Sequence, residues 1–171
     1  MIRFELLTKE NMTEHSLDDF DRTQQVHQVY RKTSHEYELT KEEWIMDWSP
    51  EKKRDVAKTL FSQDYVTVGA IENSNIIGFA SIKKEINEES IILDMIQVSR
   101  SNRRQGIGKK LFEQAKELAR KAGARQLYIS AFSSEDTIAF YKSMGCIITD
   151  NPIMELAIEE PYDLQMVCAI N

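Results

Sequence analysis

Cysteine is scarce in this chain. Cys146 and Cys168 are the only two in 171 residues, and no CxxC pair is present. That excludes a disulfide framework and a cysteine-built zinc site, and it fits a reducing, cytoplasmic setting. Long apolar runs are missing: no window approaches the roughly 18 consecutive apolar residues of a membrane span. The N-terminal MIRFELLTKEN carries acids and lacks the apolar core of a secretory signal. Three histidines, His15, His27 and His35, have no metal-ligand spacing, so no metal is expected. No repeat, low-complexity tract or Gly/Ser linker divides the sequence, which reads as one domain over 1–171.

Positive charge is also in deficit. The net charge is −6, which argues against a nucleic-acid partner and suits a cationic small molecule, whose local concentration an acidic surface raises. One region reverses the balance. Between Asp94 and Glu113 there is no acid, while Arg100, Arg103, Arg104, Lys109 and Lys110 all fall inside. A basic island in an acidic protein points to an anionic ligand held at one place.

The hydrophobic patterning predicts an α/β (α+β) domain in the order β-α-α-α-β-β-β-α-β-α-β-β. MIRFELL reads as a strand. Ser16 with Asp18 and Asp19 predicts a helix to about Lys32, and Thr40–Glu43 resembles a capping box opening a short helix with Trp44 and Trp48. Ser49-Pro50 predicts a helix start. YVTVGAIE, NIIGFASIKKE and SIILDMIQVS read as strands, the last apolar on both faces as in a central strand. A helix follows Gly106, with Ile107, Leu111, Ala115, Leu118 and Ala122 on one stripe. RQLYISAF, CIIT and DLQMVCAI complete the strands, and Ser133-Ser134-Glu135-Asp136 opens a helix to about Met144. The last strand is expected to offer an edge to a second copy, making a homodimer possible.

RRQGIG stands at a strand-to-helix junction. The first N–H groups of a helix have no partner inside it and form a phosphate site. Glycine lets an anion approach the backbone, and arginine adds forked hydrogen bonds. A Walker A loop is excluded because Lys109-Lys110 follows Gly108 with no hydroxyl for magnesium. A dinucleotide fingerprint is excluded because its third glycine is replaced by Leu111.

The segment IQVSRSNRRQGIGKKL resembles the acyl-CoA-binding motif of the GNAT superfamily of N-acyltransferases, R/Q-x-x-G-x-G/A, with Arg103, Gly106 and Gly108 in its fixed places. SSEDTIAFYKSMGC resembles the family's second landmark, a helix ending in Phe140-Tyr141 with Gly145 beyond it. The resemblance implies a mixed, mostly antiparallel sheet of about seven strands flanked by helices. The sheet would be splayed between its fourth and fifth strands, with acetyl-CoA as co-substrate in the split. It further implies a diphosphate held by Arg103, Arg104, Gln105, Gly106, Ile107, Gly108 and Lys109. The pantetheine arm would run along the backbone of Ile96 and Val98, and the Ile96 amide would polarise the thioester carbonyl. Two departures stand out: Arg100 replaces a common proline, and Ser134 replaces a common asparagine, leaving Ser134 as a minor cofactor contact.

The implied activity is N-acetyl transfer from acetyl-CoA to a primary amine of a small molecule or peptide, by direct attack in a ternary complex. Tyr141 matches the family's proton donor to the leaving thiolate. Asp94, inside IILDMIQV, is costly to bury unpaired. Alternation places it on a face with Ile92, Ile96 and Val98, as a general base, a substrate anchor or a structural carboxylate. The same motifs also suit a regulatory CoA-binding domain without turnover, or a transferase for a longer acyl-CoA. Trp44 and Trp48 read as core. The acids at Glu155, Glu159, Glu160 and Asp163 border the acceptor side.

Overall fold

In a computed structural model, which describes all residues from Met1 to Asn171, the chain alternates nine strands and four α-helices. They are β1 (Arg3–Leu7), β2 (Gln24–Lys32), β3 (Tyr37–Met46), α1 (Pro50–Leu60), β4 (Tyr65–Glu72), β5 (Asn75–Asn87) and β6 (Ser90–Val98). After these come α2 (Ile107–Lys121), β7 (Gln126–Ala131), α3 (Glu135–Ser143), β8 (Ile147–Ile148), α4 (Met154–Glu159) and β9 (Leu164–Ala169). Seven strands form one sheet in the order β1-β4-β5-β6-β7-β9-β8, and β2 and β3 form a separate hairpin. Every neighbouring pair in the large sheet is antiparallel except β6 and β7, which α2 joins as a parallel crossover. No helix is long and apolar enough to cross a membrane.

Two clusters cover the sheet. α2 buries Ile107, Leu111, Phe112, Ala115 and Ala119 against one face. The predicted stripe holds for its first three members and then drifts, leaving Ala122 exposed, because the helical period shifts the buried face around the axis. Each fully buried large residue there contributes about 1.5–3 kcal/mol. On the opposite face, α1 and the segment before β2 bring Leu17, Phe20, Val56 and Leu60 against Phe79. α1 begins as expected: the Ser49 hydroxyl accepts from the Lys52 amide at 3.1 Å and Pro50 occupies the first turn.

Both predicted helices before α1 are strands. Val26 and Val29 lie on opposite sides of β2, and both are buried because the strand is covered on each face as it crosses the molecule. Their spacing of three imitates a helical stripe. In β3 the side chains of Glu42, Trp44 and Met46 are half-buried and alternate with exposed ones, a period of two. The capping-box pattern at Thr40 is overridden by pairing with β2, a nonlocal interaction. α4 falls where a loop is expected. β9 is not a free edge: β7 flanks one side, and β8 with Thr149 covers Gln165 to Val167 on the other.

Candidate functional site: a free-amide loop at the mouth of a split sheet

β6 pairs with β7 only from Ser90 to Ile92. Beyond that point β7 pairs only with β9, and β6 continues to Val98 paired only with β5. The sheet therefore splits between its fourth and fifth strands. The Ser99 amide donates to Ile77 O of β5. Antiparallel alternation then turns the N–H and C=O of Ile96 and Val98 toward the split, while their side chains pack on the α2 cluster.

The loop at the wide end is shaped by two left-handed residues, Arg104 (φ 62°) and Gly106 (φ 79°). From Arg104 to Lys109 no main-chain N–H donates to any protein acceptor; the Lys110 amide is the first to bond, to Gly106 O at 3.2 Å. A run of outward donors at the positive end of a 15-residue helix is an anion site. A Cβ built at Gly106 would meet nothing within 4 Å, so this surface is open. At Gly108 a Cβ would lie 3.3 Å from Phe140, so glycine lets α3 close against the start of α2. Ile107 is buried and fixes the helix start in the core. Lys109, Arg104 and Gln105 are exposed.

Arg103 behaves otherwise. Its guanidinium donates to Val98 O at 2.8 Å, Thr23 O at 2.6 Å and Arg22 O at 3.2 Å. Those bonds engage the side chain with the protein's own carbonyls, so it shapes the loop rather than presenting charge. Ser134 is likewise engaged. It is buried, caps α3 by accepting from the Thr137 amide at 3.2 Å, and accepts from Gln24 Nε2 at 3.3 Å.

The segment from Asp21 to Tyr30 spans the opening. At one end the Asp21 amide donates to Ser99 Oγ at 3.0 Å, and Arg103 holds Arg22 and Thr23. At the other the Tyr30 amide donates to Ser133 O at 2.8 Å, and Val29 bridges to Ser134. The β2–β3 hairpin thus roofs one side of the split.

Asp94 requires a correction. Met95 pairs with Ser81 and Leu93 with Ile82, so Asp94 is the extra residue of a β-bulge. The bulge reverses the alternation. Leu93, Ile96 and Val98 face α2, whereas Met95 packs in the opposite cluster. Asp94 does not share a face with the Ile96 and Val98 side chains; it stands with Ile92 on the other side of the sheet. It remains accessible to solvent, yet enough protein surrounds it for desolvation to raise its pKa. Lys83 opposes that shift, Glu159 of α4 adds to it, and the Tyr65 hydroxyl moderates it. None of these three neighbours is near Asp94 in sequence, and no local signal marks them.

Tyr141 lies in the α2 cluster with Phe112 and Phe140, their ring centroids 6.4 and 5.4 Å away. It is 8% exposed. Burial, then the nearby Cys146 and Asp163, push its phenol well above its ordinary value, so it holds its proton throughout the physiological range. Its oxygen makes no hydrogen bond within the protein and is not fully enclosed. Tyr141 and Asp94 thus approach the sheet from opposite faces. Asp163, which accepts from Ser130 Oγ at 3.0 Å, is pushed up to about 6 by burial, Ser130 opposing and Glu160 adding to the shift. The largest described hollow, about 230 Å³, lies at the paired end of the split around Ser90 and Gln126, away from these groups.

Solved structures share this architecture. Nourseothricin acetyltransferase is 16% identical, with 99% of each chain covered and a TM-score of 0.76. A protein assigned as a streptothricin acetyltransferase from Bacillus anthracis str. Ames, solved with acetyl coenzyme A, is also 16% identical, covering 100% of this chain and 99% of its own, at a TM-score of 0.74. The ribosomal-protein-S18-alanine N-acetyltransferase from Escherichia coli is 17% identical, covering 100% and 95%, at 0.63. Residues 33–146 match the acetyltransferase (GNAT) family. With that match spanning most of the chain, from β3 past α3, and the split sheet and free-amide loop in place, the protein belongs to the GNAT acetyltransferase family.

Proposed function

We propose that the protein moves the acetyl group of acetyl-CoA onto the primary amine of a small cationic molecule, both being bound at once. The observation that carries this reading is the unpartnered run of main-chain N–H groups from Arg104 to Lys109 at the mouth of the split. These donors fit a diphosphate, and the open surface over Gly106 leaves room for one. The inward-facing main chain of Ile96 and Val98 fits an amide-bearing arm laid along β6 as an extra strand. Acetyl-CoA supplies the activated acyl group as a thioester.

The chain's own groups handle the protons. An amine attacks only when neutral, and most amines arrive protonated. Asp94, with its raised pKa and solvent access, accepts a proton from the amine side of the sheet. Tyr141 holds a proton on the α2 side, where a sulfur leaving the split would need one. The Ile96 N–H, aimed into the split, is placed to polarise a carbonyl there. The acids Glu159, Glu160 and Asp163 beside Asp94 and Ser130 favour a cationic acceptor, as does the net charge of −6. Nourseothricin, streptothricin and an alanine of a ribosomal protein stand in the names of the related structures, so the fold admits acceptors of very different size.

Thiol release from acetyl-CoA across a panel of amines tests the proposal. Amine-dependent release is expected, and Asp94→Asn lowers it. Binding of CoA with no release from any amine would leave a ligand-binding domain and overturn the transferase reading.

A further inference from the structure

Arg22 is the one buried charge in this protein without an explanation in the mechanism above. It is 5% exposed, yet takes part in none of the protein's ion pairs. Only Nη1 is satisfied, donating to Gln24 Oε1 at 3.0 Å. Nε is the single fully enclosed side-chain nitrogen or oxygen in the structure with no hydrogen-bond partner. Nη2 also donates to nothing, but it is not sealed. A guanidinium has five donors, and a buried cation left this way costs several kcal/mol unless an anion completes it. Its surroundings confirm the imbalance: burial and then the neighbouring Arg103 hold its pKa down to about 10, and only Asp47 opposes them, from beyond ion-pair distance.

The side chain is held firmly in this position. Its Cζ lies 5.6 Å from the Trp48 ring centroid. Trp48 stacks on Phe79, whose partner across the ladder is Gln97 of β6. Gln24 is fixed in turn by Ser134 and Thr137, so its oxygen faces Arg22. Arg22 therefore stands under the hairpin roof at the wide end of the split, on the face that carries Asp94. Three residues of β6 separate the Gln97 level from Asp94, about 10 Å at strand spacing.

We propose that Arg22 anchors a carboxylate of the acceptor, so that the substrate carries an anionic end as well as the amine; this rests on the transferase reading above. The distance along β6 sets the shape. An α-amino group and its own carboxylate share one carbon and cannot reach from Asp94 to Arg22. An amine at the far end of an aliphatic chain, as in L-lysine or ε-aminocaproate, can. Asp94 and Glu159 receive the cationic end, and the Arg22 fork receives the carboxylate through Nε and Nη2.

The test compares wild type with Arg22→Met, which keeps an apolar stem against Trp48, and with Arg22→Lys, which keeps the charge but loses the fork. Rates are measured with L-lysine and with cadaverine, the same chain lacking the carboxylate. Binding of ε-aminocaproate to the CoA-loaded protein is followed by calorimetry. The expected result is a rise of about tenfold to a hundredfold in KM for L-lysine with Arg22→Met, little change in kcat, and no change with cadaverine. Arg22→Lys falls between, and it carries the test if the Met variant does not fold. Equal losses for both amines, or wild-type binding of ε-aminocaproate that is absent or indifferent to Arg22, would overturn the proposal while leaving acetyl transfer intact. Arg22-dependent binding of ε-aminocaproate without turnover of any amine would do the reverse.

Discussion

A single charge placed at Gly106 should separate the phosphate-cradle argument from mere tolerance of the loop. Gly106 is left-handed, and its missing Cβ would project into open space. Gly106→Ala therefore adds no clash within the protein and costs about 1–2 kcal/mol through the backbone conformation alone. In a chain of this size that lowers the melting temperature by about 2–8 °C. Gly106→Asp carries a comparable backbone cost and adds a carboxylate beside the free N–H groups of Arg104 to Lys109. At roughly 6 Å and an effective dielectric of about 20, each unit of diphosphate charge is repelled by about 3 kcal/mol. One such interaction is worth about a hundredfold in affinity. Calorimetry of CoA binding should give Gly106→Asp at least about a hundredfold weaker than Gly106→Ala, with similar melting temperatures for both. A smaller gap in higher salt would support the same origin. If the two variants bound CoA equally, the diphosphate could not lie on these amides, and the transferase reading would lose its main support.

Other measurements probe the proton carriers. Asp94 has a raised pKa, so the acid limb of the kcat/KM profile should lie above the ordinary carboxylate range and disappear in Asp94→Asn. Tyr141→Phe should lower kcat by about a hundredfold with little effect on CoA affinity. It should not lower the melting temperature, because the hydroxyl has no protein partner to lose. Asp163 titrates near 6 in the fold, above the unfolded value of about 3.9. Its contribution to stability is therefore present below about pH 3.9 and is lost as pH rises through about 6. Discounted for partial solvent access, that loss is about 1 kcal/mol, so Asp163→Asn should melt about 2–4 °C above wild type at pH 8. No difference at pH 8, by differential scanning calorimetry, would show that Ser130 and solvent keep the carboxylate fully ionised at no cost.

Local features of this protein were legible because their causes are local. A glycine that must be left-handed, a helix start that leaves its amides free, and a buried stripe from Ile107 to Ala115 lie within a few residues of one another. The same holds for Ser49-Pro50 and Ser134, each of which caps a helix. The hairpin of β2 and β3 was misread because its stability comes from a partner about twenty residues away, as in Val26 opposite Trp44. Charged residues in β3 look helical until that pairing is known. The free donors of RRQGIG follow from helix geometry alone, but the engagement of Arg103 with Val98, Thr23 and Arg22 depends on a segment eighty residues earlier in the chain.

The bulge at Asp94 shows where the limit of sequence reading bears on chemistry. Strand alternation alone puts Asp94 with Ile96 and Val98, on the same side as Tyr141, and a single proton carrier could then have served both reactants. One extra residue opposite Ser81 and Ile82 moves the carboxylate through the sheet while leaving the Ile96 and Val98 main chain aimed into the split. A thioester lying in that split has the Asp94 carboxylate on one side and the Tyr141 phenol on the other. The amine side can then lose a proton while the sulfur side receives one, and the two groups need not exchange protons with each other. Their environments are set separately to match: desolvation tempered by Lys83 and Tyr65 for the acceptor, near-complete burial for the donor. Deleting the bulge should therefore cost more activity than replacing Asp94 by Asn, because it reverses the face of every β6 side chain on one side of the deletion and disturbs the free edge along which the cofactor arm is proposed to lie.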